Sequence, residues 1–134
     1  MTFIQSSSPA ILYVDNEINN LNSFNAMFRK DYKISHAVSL KEALIFLKNE
    51  PFEIIIASKN LCEMSGIDFL QSTISIRPNC TRLLVSDYIN LDVENRAMIF
   101  NYLVKPWDEG KIRQILQDAS ELFKVKEMMT RNCW

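Results

Sequence analysis

Four short apolar runs in this 134-residue chain stop abruptly at polar residues able to do chemistry. Ala10 to Val14 runs into Asp15-Asn16-Glu17, and Phe52 to Ala57 into Ser58 and Lys59. Leu83-Leu84-Val85 ends at Ser86-Asp87, and Tyr102-Leu103-Val104 at Lys105. Lys105, Ser86 and Lys59 together offer donors for a small ligand or anion. Ser58 could act as a nucleophile only with a general base to take its proton. His36, the one histidine, lies on a different strand candidate, so nothing in the sequence places a base beside that hydroxyl. Asp15 and Lys105, opposite charges at adjacent strand ends, predict a partly buried ion pair that helps hold the sheet ends. Removing either partner of such a pair leaves the other buried and costly.

These residues need elements to position them. A short apolar run flanked by a tail and an acidic cluster suits a buried strand, so Ala10–Val14 reads as the first. From Glu17 to Lys30 the period changes, with Ile18, Leu21, Phe24 and Phe28 at helical spacing and asparagines between them. Tyr32 to Ala37 is a weaker strand candidate. Ser39-Leu40-Lys41-Glu42 is a capping box opening a helix that carries Ala43, Leu44 and Leu47. Pro51 stops that helix near Glu50. Phe52 to Ser58, rich in β-branched residues, reads as a central strand. Gly66 leads a helix carrying Ile67, Leu70 and Ile74. Thr81 to Ser86 is a fourth strand, Leu91 to Phe100 a short helix, and Tyr102 to Val104 a last strand. Asp108 caps a final helix bearing Ile112, Ile115, Leu116, Ala119, Leu122 and Phe123.

Strand and helix thus alternate about five times, which predicts an α/β fold: a doubly wound, five-stranded parallel sheet with helices on both faces. In open sheets of this kind, sites form at the carboxyl ends of the strands. That rule brings Asp15-Asn16-Glu17, Ser58, Ser86-Asp87 and Lys105 to one edge.

The bulk properties exclude several classes. Hydrophobic residues make up 48% and charged residues 23%, ordinary for a soluble globular domain. A net charge of -1 gives no pull towards nucleic acid or an anionic membrane. Cys62, Cys80 and Cys133 are odd in number and lack metal-ligand spacing, as in a reduced, cytoplasmic protein. Met1 to Pro9 reads as a flexible leader, lacking the basic start and sustained apolar run of a signal peptide. The glycines are Gly66 and Gly110 alone, so no phosphate-cradling loop follows the first strand and a nucleotide or flavin enzyme is disfavoured.

At the same residues the chain from about Ala10 to Lys124 resembles the receiver domain of bacterial two-component response regulators, with a flavodoxin-like fold. The matching pieces are Leu12 to Glu17, Phe52 to Ser58, Leu83 to Ser86 and Tyr102 to Trp107, and the Lys105-Pro106 pair after the last apolar strand adds weight. The resemblance implies a signalling module, not an enzyme. Working receivers carry an aspartate acceptor after the third strand and an acidic pair that holds Mg²⁺ for the incoming phosphoryl group. By the same resemblance Asp15 takes the first acidic position, Lys105 the lysine, Ser86 the hydroxyl and Tyr102 the switch aromatic.

The departures are Asn16, in place of the second acid, and Ser58, in place of the acceptor. Asp15, Asn16, Ser58, Ser86 and Lys105 therefore read as a degenerate acceptor pocket, with no catalytic residue, no cofactor and no Mg²⁺ expected. Residues 1–9 form the leader, 10–124 the receiver-like domain, and 125–134 a helix extension or tail in which Met128, Met129 and Trp134 offer a docking surface. The interval from Ser86 to Lys105 is shorter than in familiar receivers by about one helical turn. In the family that region forms the output and dimer face, here Leu91, Met98, Phe100, Tyr102 and Trp107. The expected partners are signalling proteins, a kinase or an output protein, with a homodimer left open and neither nucleic acid nor membrane involved.

Overall fold

Side-chain alternation along each strand sorts the core into two layers. The computed structural model describes residues 8–87 and 98–131. Within them run β1 (Ala10–Val14), α1 (Ile18–Phe28), β2 (Lys33–Ala37), α2 (Leu40–Asn49), β3 (Ile54–Ser58), α3 (Gly66–Ser72), β4 (Thr81–Ser86), β5 (Asn101–Val104) and α4 (Glu109–Arg131). All five strands are parallel, in the order β2-β1-β3-β4-β5. This is the predicted doubly wound sheet.

On one face Ile11, Tyr13, Ile54, Ile56, Leu83 and Val85 meet α1 through Leu21, Phe24 and Phe28, and α4 through Ile112, Leu116 and Ala119. The opposite face carries Leu12, Val14, Ile55, Ala57 and Leu84 against α2 through Ala43 and Leu47, and α3 through Phe69 and Leu70. Strands covered on both sides need apolar residues on both faces, which explains the unbroken apolar runs of β1 and β3 and the Leu83-Leu84-Val85 run of β4. Arg82 is the charged residue within β4. It is buried, and its guanidinium donates to the carbonyls of Leu70, Cys80 and Arg77 and to the Thr73 hydroxyl, tying the turn after α3 to the sheet.

The helix ends follow local chemistry. Ser39 Oγ accepts from Glu42 N at 3.2 Å, but Glu42 returns its bond to Val38 N at 3.0 Å, one residue beyond the expected partner. Asp108 Oδ1 accepts from Lys111 N at 3.1 Å, capping α4 as predicted. Ser65 does the same for α3 through Asp68 N.

Several expectations need correction. Ile18 and Leu44 are exposed: each sits one position off its helix's inner stripe, and Leu40 and Phe46 pack against the core beside Ala43 and Leu47 instead. The third helix stops at Ser72, so Ile74 falls in the following turn. Its closing bonds are made by Thr73, whose N–H reaches back to Phe69 O and Leu70 O. The helix expected from Leu91 lies outside the described residues up to position 97. Ile99 and Phe100 are not helical, and Phe100 N already donates to Arg82 O at 2.8 Å as the chain enters β5. Helix α4 runs unbroken past Phe123 to Arg131, leaving Val125, Met128 and Met129 exposed. Trp134 and Cys133 lie outside the described residues.

Candidate functional site

The carboxyl ends of β1, β3, β4 and β5 surround a hollow of about 270 Å³. Its wall includes Ser58 and Lys59 from the end of β3, Ser86 and Asp87 from β4, and Lys105 after β5. Glu17 and Asn20 close it from the start of α1. The strand-end rule therefore brought Ser58, Ser86 and Lys105 together as expected. Asp15 and Asn16 are adjacent but do not line the hollow.

Asp15 is fully buried, and its carboxylate accepts three hydrogen bonds. Tyr13 Oη donates to Oδ2 at 2.7 Å, Asn20 Nδ2 to Oδ2 at 3.0 Å, and Glu17 N to Oδ1 at 2.9 Å. Tyr13 reaches it because residues two apart in a strand share a face. Burial, with the neighbouring carboxylate second, pushes the Tyr13 phenol far above its ordinary range, so the hydroxyl stays a donor.

The predicted Asp15–Lys105 ion pair is absent, and an amide stands between the two. Lys105 Nζ donates to Asn20 Oδ1 at 2.9 Å, and Asn20 passes the contact on to Asp15. The same ammonium lies 5.9 Å from the centroid of the Trp107 ring, within cation–π range. Asn20 was read only as a polar position on the first helix. Its bridging role depends on which side chains the sheet brings together, and no local signal marks it.

Asn16 turns away from the hollow and donates through Nδ2 to Val38 O at 3.0 Å, linking β1 to the loop before α2. Ser58 is half-buried at the end of β3. Behind it stands Gly66, where a Cβ would lie 1.9 Å from Ser58 O. Glycine is therefore required where the start of α3 crosses the strand end. The Gly66 N–H also donates to Lys59 O at 2.8 Å, fixing the loop that frames the hollow.

His36 sits on β2 opposite Tyr13, with β1 between it and β3, and desolvation lowers its pKa. It is no base for Ser58. Tyr102 is half-buried, and its hydroxyl is buried without a partner among the described residues. Met98 packs on the core and Phe100 is exposed. Trp107 packs against Phe24 and Tyr13, so it belongs more to the core than to a free face. Leu91 lies outside the described residues.

With this geometry stands a family match: the model described as response regulator receiver domain matches residues 11–117. The chain belongs to that family. Receiver domains of this family are signalling modules, consistent with the reading of the strand-end residues. Among curated relatives, the hydrogenase transcriptional regulatory protein HoxA of Bradyrhizobium diazoefficiens is 23% identical over 87% of this chain and 25% of its own length. The transcriptional regulatory protein ZraR of Klebsiella oxytoca is 26% identical over 87% of this chain and 27% of its own. This chain thus spans about a quarter of the length of these relatives. The fold is also that of a signal receiver domain of an HD domain-containing protein from Pseudomonas fluorescens, with a TM-score of 0.85, 24% identity, and coverage of 96% of this chain and 97% of that one. Among the described residues no helix is long and apolar enough to cross a membrane.

Proposed function

We propose that this receiver domain signals without phosphorylation, in the cytoplasm, through contacts with other signalling proteins. The observation that carries the reading is Ser58 at the end of β3, a hydroxyl where the family's chemistry needs an ionised carboxylate, with His36 held away on β2. Two further features support it. Asp15 has its oxygens committed to three protein donors, and Asn16 points its amide at Val38 O, so the pair does not suit Mg²⁺. Among the described residues no three His, Cys, Asp or Glu side chains come together to hold a metal.

Without a phosphoryl group to shift it, such a domain rests in one state or is biased by a partner's differential affinity. The contact face is built around Met98, Phe100 and Tyr102, extended by the exposed Val125, Met128 and Met129 on α4. The partner is a kinase, an output protein or a second copy of this chain. The test is incubation of the unaltered protein with a small-molecule phosphodonor and Mg²⁺, read by intact mass. No adduct is expected; a stoichiometric, hydroxylamine-labile one overturns the reading.

A second reading takes the hollow as a sensor site for a small ligand or anion. It is favoured by the placing of Lys59, Lys105, Ser58 and Ser86 around one space. A ligand-dependent rise in melting temperature across a metabolite panel would support it, and a flat response would remove it.

A further inference from the structure

We infer that Asn20 is a third lock on the acceptor pocket, beside Ser58 and Asn16. The inference rests on the phosphorylation-independent reading and deepens it, because it assigns part of the pocket's silence to a residue outside the strand ends. Asn20 occupies the third position of α1 and lines the same hollow as Ser58 and Lys105. Its Nδ2 donates to Asp15 Oδ2 at 3.0 Å, and its Oδ1 accepts from Lys105 Nζ at 2.9 Å.

The amide can stand only this way round. A carboxylate accepts and an ammonium donates, so flipping the carboxamide would break both bonds and set donor against donor. Lys105 is therefore held towards α1, with the Trp107 ring 5.9 Å away on its flank. A phosphoryl group at the end of β3 needs a positive charge on its oxygens. Here that charge is already engaged by Asn20. Restoring the two missing carboxylates would leave the lysine still held.

The test compares the full chain carrying Asn16→Asp and Ser58→Asp with the same chain carrying Asn20→Ala in addition, and with Asn20→Asp in addition. Each is incubated with acetyl phosphate and Mg²⁺ and followed by intact mass. In the labelling step a carboxylate oxygen introduced by Ser58→Asp attacks phosphorus. The phosphorus–oxygen bond to acetate breaks, acetate leaves with the electron pair, and an acyl phosphate forms.

Adding Asn20→Ala is expected to raise the labelling rate about tenfold, the worth of one charge-assisted hydrogen bond. Adding Asn20→Asp is expected to give no gain, because it offers Lys105 a full negative charge in the same place. Melting temperatures are taken in parallel, since a purely structural Asn20 would shift melting without raising the rate. If Asn20→Ala fails to fold, Asn20→Ser withdraws the carbonyl from Lys105 while keeping a hydroxyl beside Asp15, and the same gain is expected. Equal labelling with and without Asn20→Ala (or Asn20→Ser where the alanine variant does not fold), whether fast, slow or absent in both, overturns the inference, as does a gain from Asn20→Asp equal to that from Asn20→Ala. Labelling of the unaltered chain would instead overturn the phosphorylation-independent reading.

Discussion

Tyr13→Phe isolates one bond of the strand-end network. The substitution keeps the ring, which packs edge-on to Phe24 at 5.2 Å and beside Trp107 at 6.5 Å, and removes only the hydroxyl. What disappears is a 2.7 Å bond to the buried Asp15 carboxylate, which keeps two donors in Glu17 N and Asn20 Nδ2. Hydrogen bonds to charged groups contribute about 1.5–3 kcal/mol, so a loss near 2 kcal/mol is expected. Urea unfolding of a domain this size should show the midpoint falling by roughly 1 M with the slope unchanged. The melting temperature should fall by roughly 6–8 °C. A double-mutant cycle with Asp15→Asn tests the cause. Against a neutral acceptor the same hydroxyl is worth about 1 kcal/mol, so a coupling of about 1 kcal/mol should appear. A cost below about 0.5 kcal/mol, or equal costs in both backgrounds, would refute the claim that Tyr13 serves the Asp15 charge.

Gly66→Ala must move backbone, because its Cβ would fall 1.9 Å from Ser58 O. A destabilisation of about 1–3 kcal/mol is expected in urea unfolding, with amide shifts centred on Ser58 and Lys59. Leu116→Ala hollows the α4 side of the core, where the side chain is fully buried, and should cost about 2–5 kcal/mol by the same measurement. Burial lifts the Cys80 thiol from 9.0 to about 11, so at pH 8 the native protein should be alkylated at exposed Cys62 while Cys80 stays intact until denaturant is added. The same upward shift, with Tyr13 raised in the same direction, means the unfolded chain releases protons first. Stability should therefore hold below pH 9 and fall from 9 towards 11 in pH-dependent melting; a flat profile there would contradict the burial of both groups.

The sheet was legible because burial on both faces leaves a mark that needs no partner to be seen. β1 and β3 are apolar at nearly every position and β4 through Leu83-Leu84-Val85, and the polar residue that ends each run marks its carboxyl edge. Caps were legible for the same local reason, at Ser39 and Asp108. Errors gathered where the deciding contact lies across the fold. Ile18 and Leu44 have helical spacing, yet which stripe faces inward depends on how each helix is rotated on the sheet. The Asp15–Lys105 pair was predicted from charge and adjacency, and Asn20 came between them from another element. Tyr13 was the discoverable miss, since period two places it on the face of Asp15. Arg82 reads as an interruption in an apolar strand, and only the turn after α3 supplies the carbonyls that make its burial tolerable.

These particulars bear on the proposal that this receiver domain signals without phosphorylation. Asp15 follows a central strand and Lys105 the edge strand β5, and a buried or half-buried charge left unpaired at such a position is costly. In this chain Asp15 and Lys105 each have a protein partner. Asp15 is satisfied by Tyr13, Glu17 and Asn20, and Lys105 by Asn20 with the Trp107 ring alongside. The network ties the end of β1 to the start of α1 and to the segment after β5. Ser58, small and neutral, adds no charge beside Asp15 that would need compensation. On the proposed reading Ser58 is thus one element of a site whose charges are held by protein partners, and Ser58→Asp alone would introduce a carboxylate without freeing the lysine to meet it.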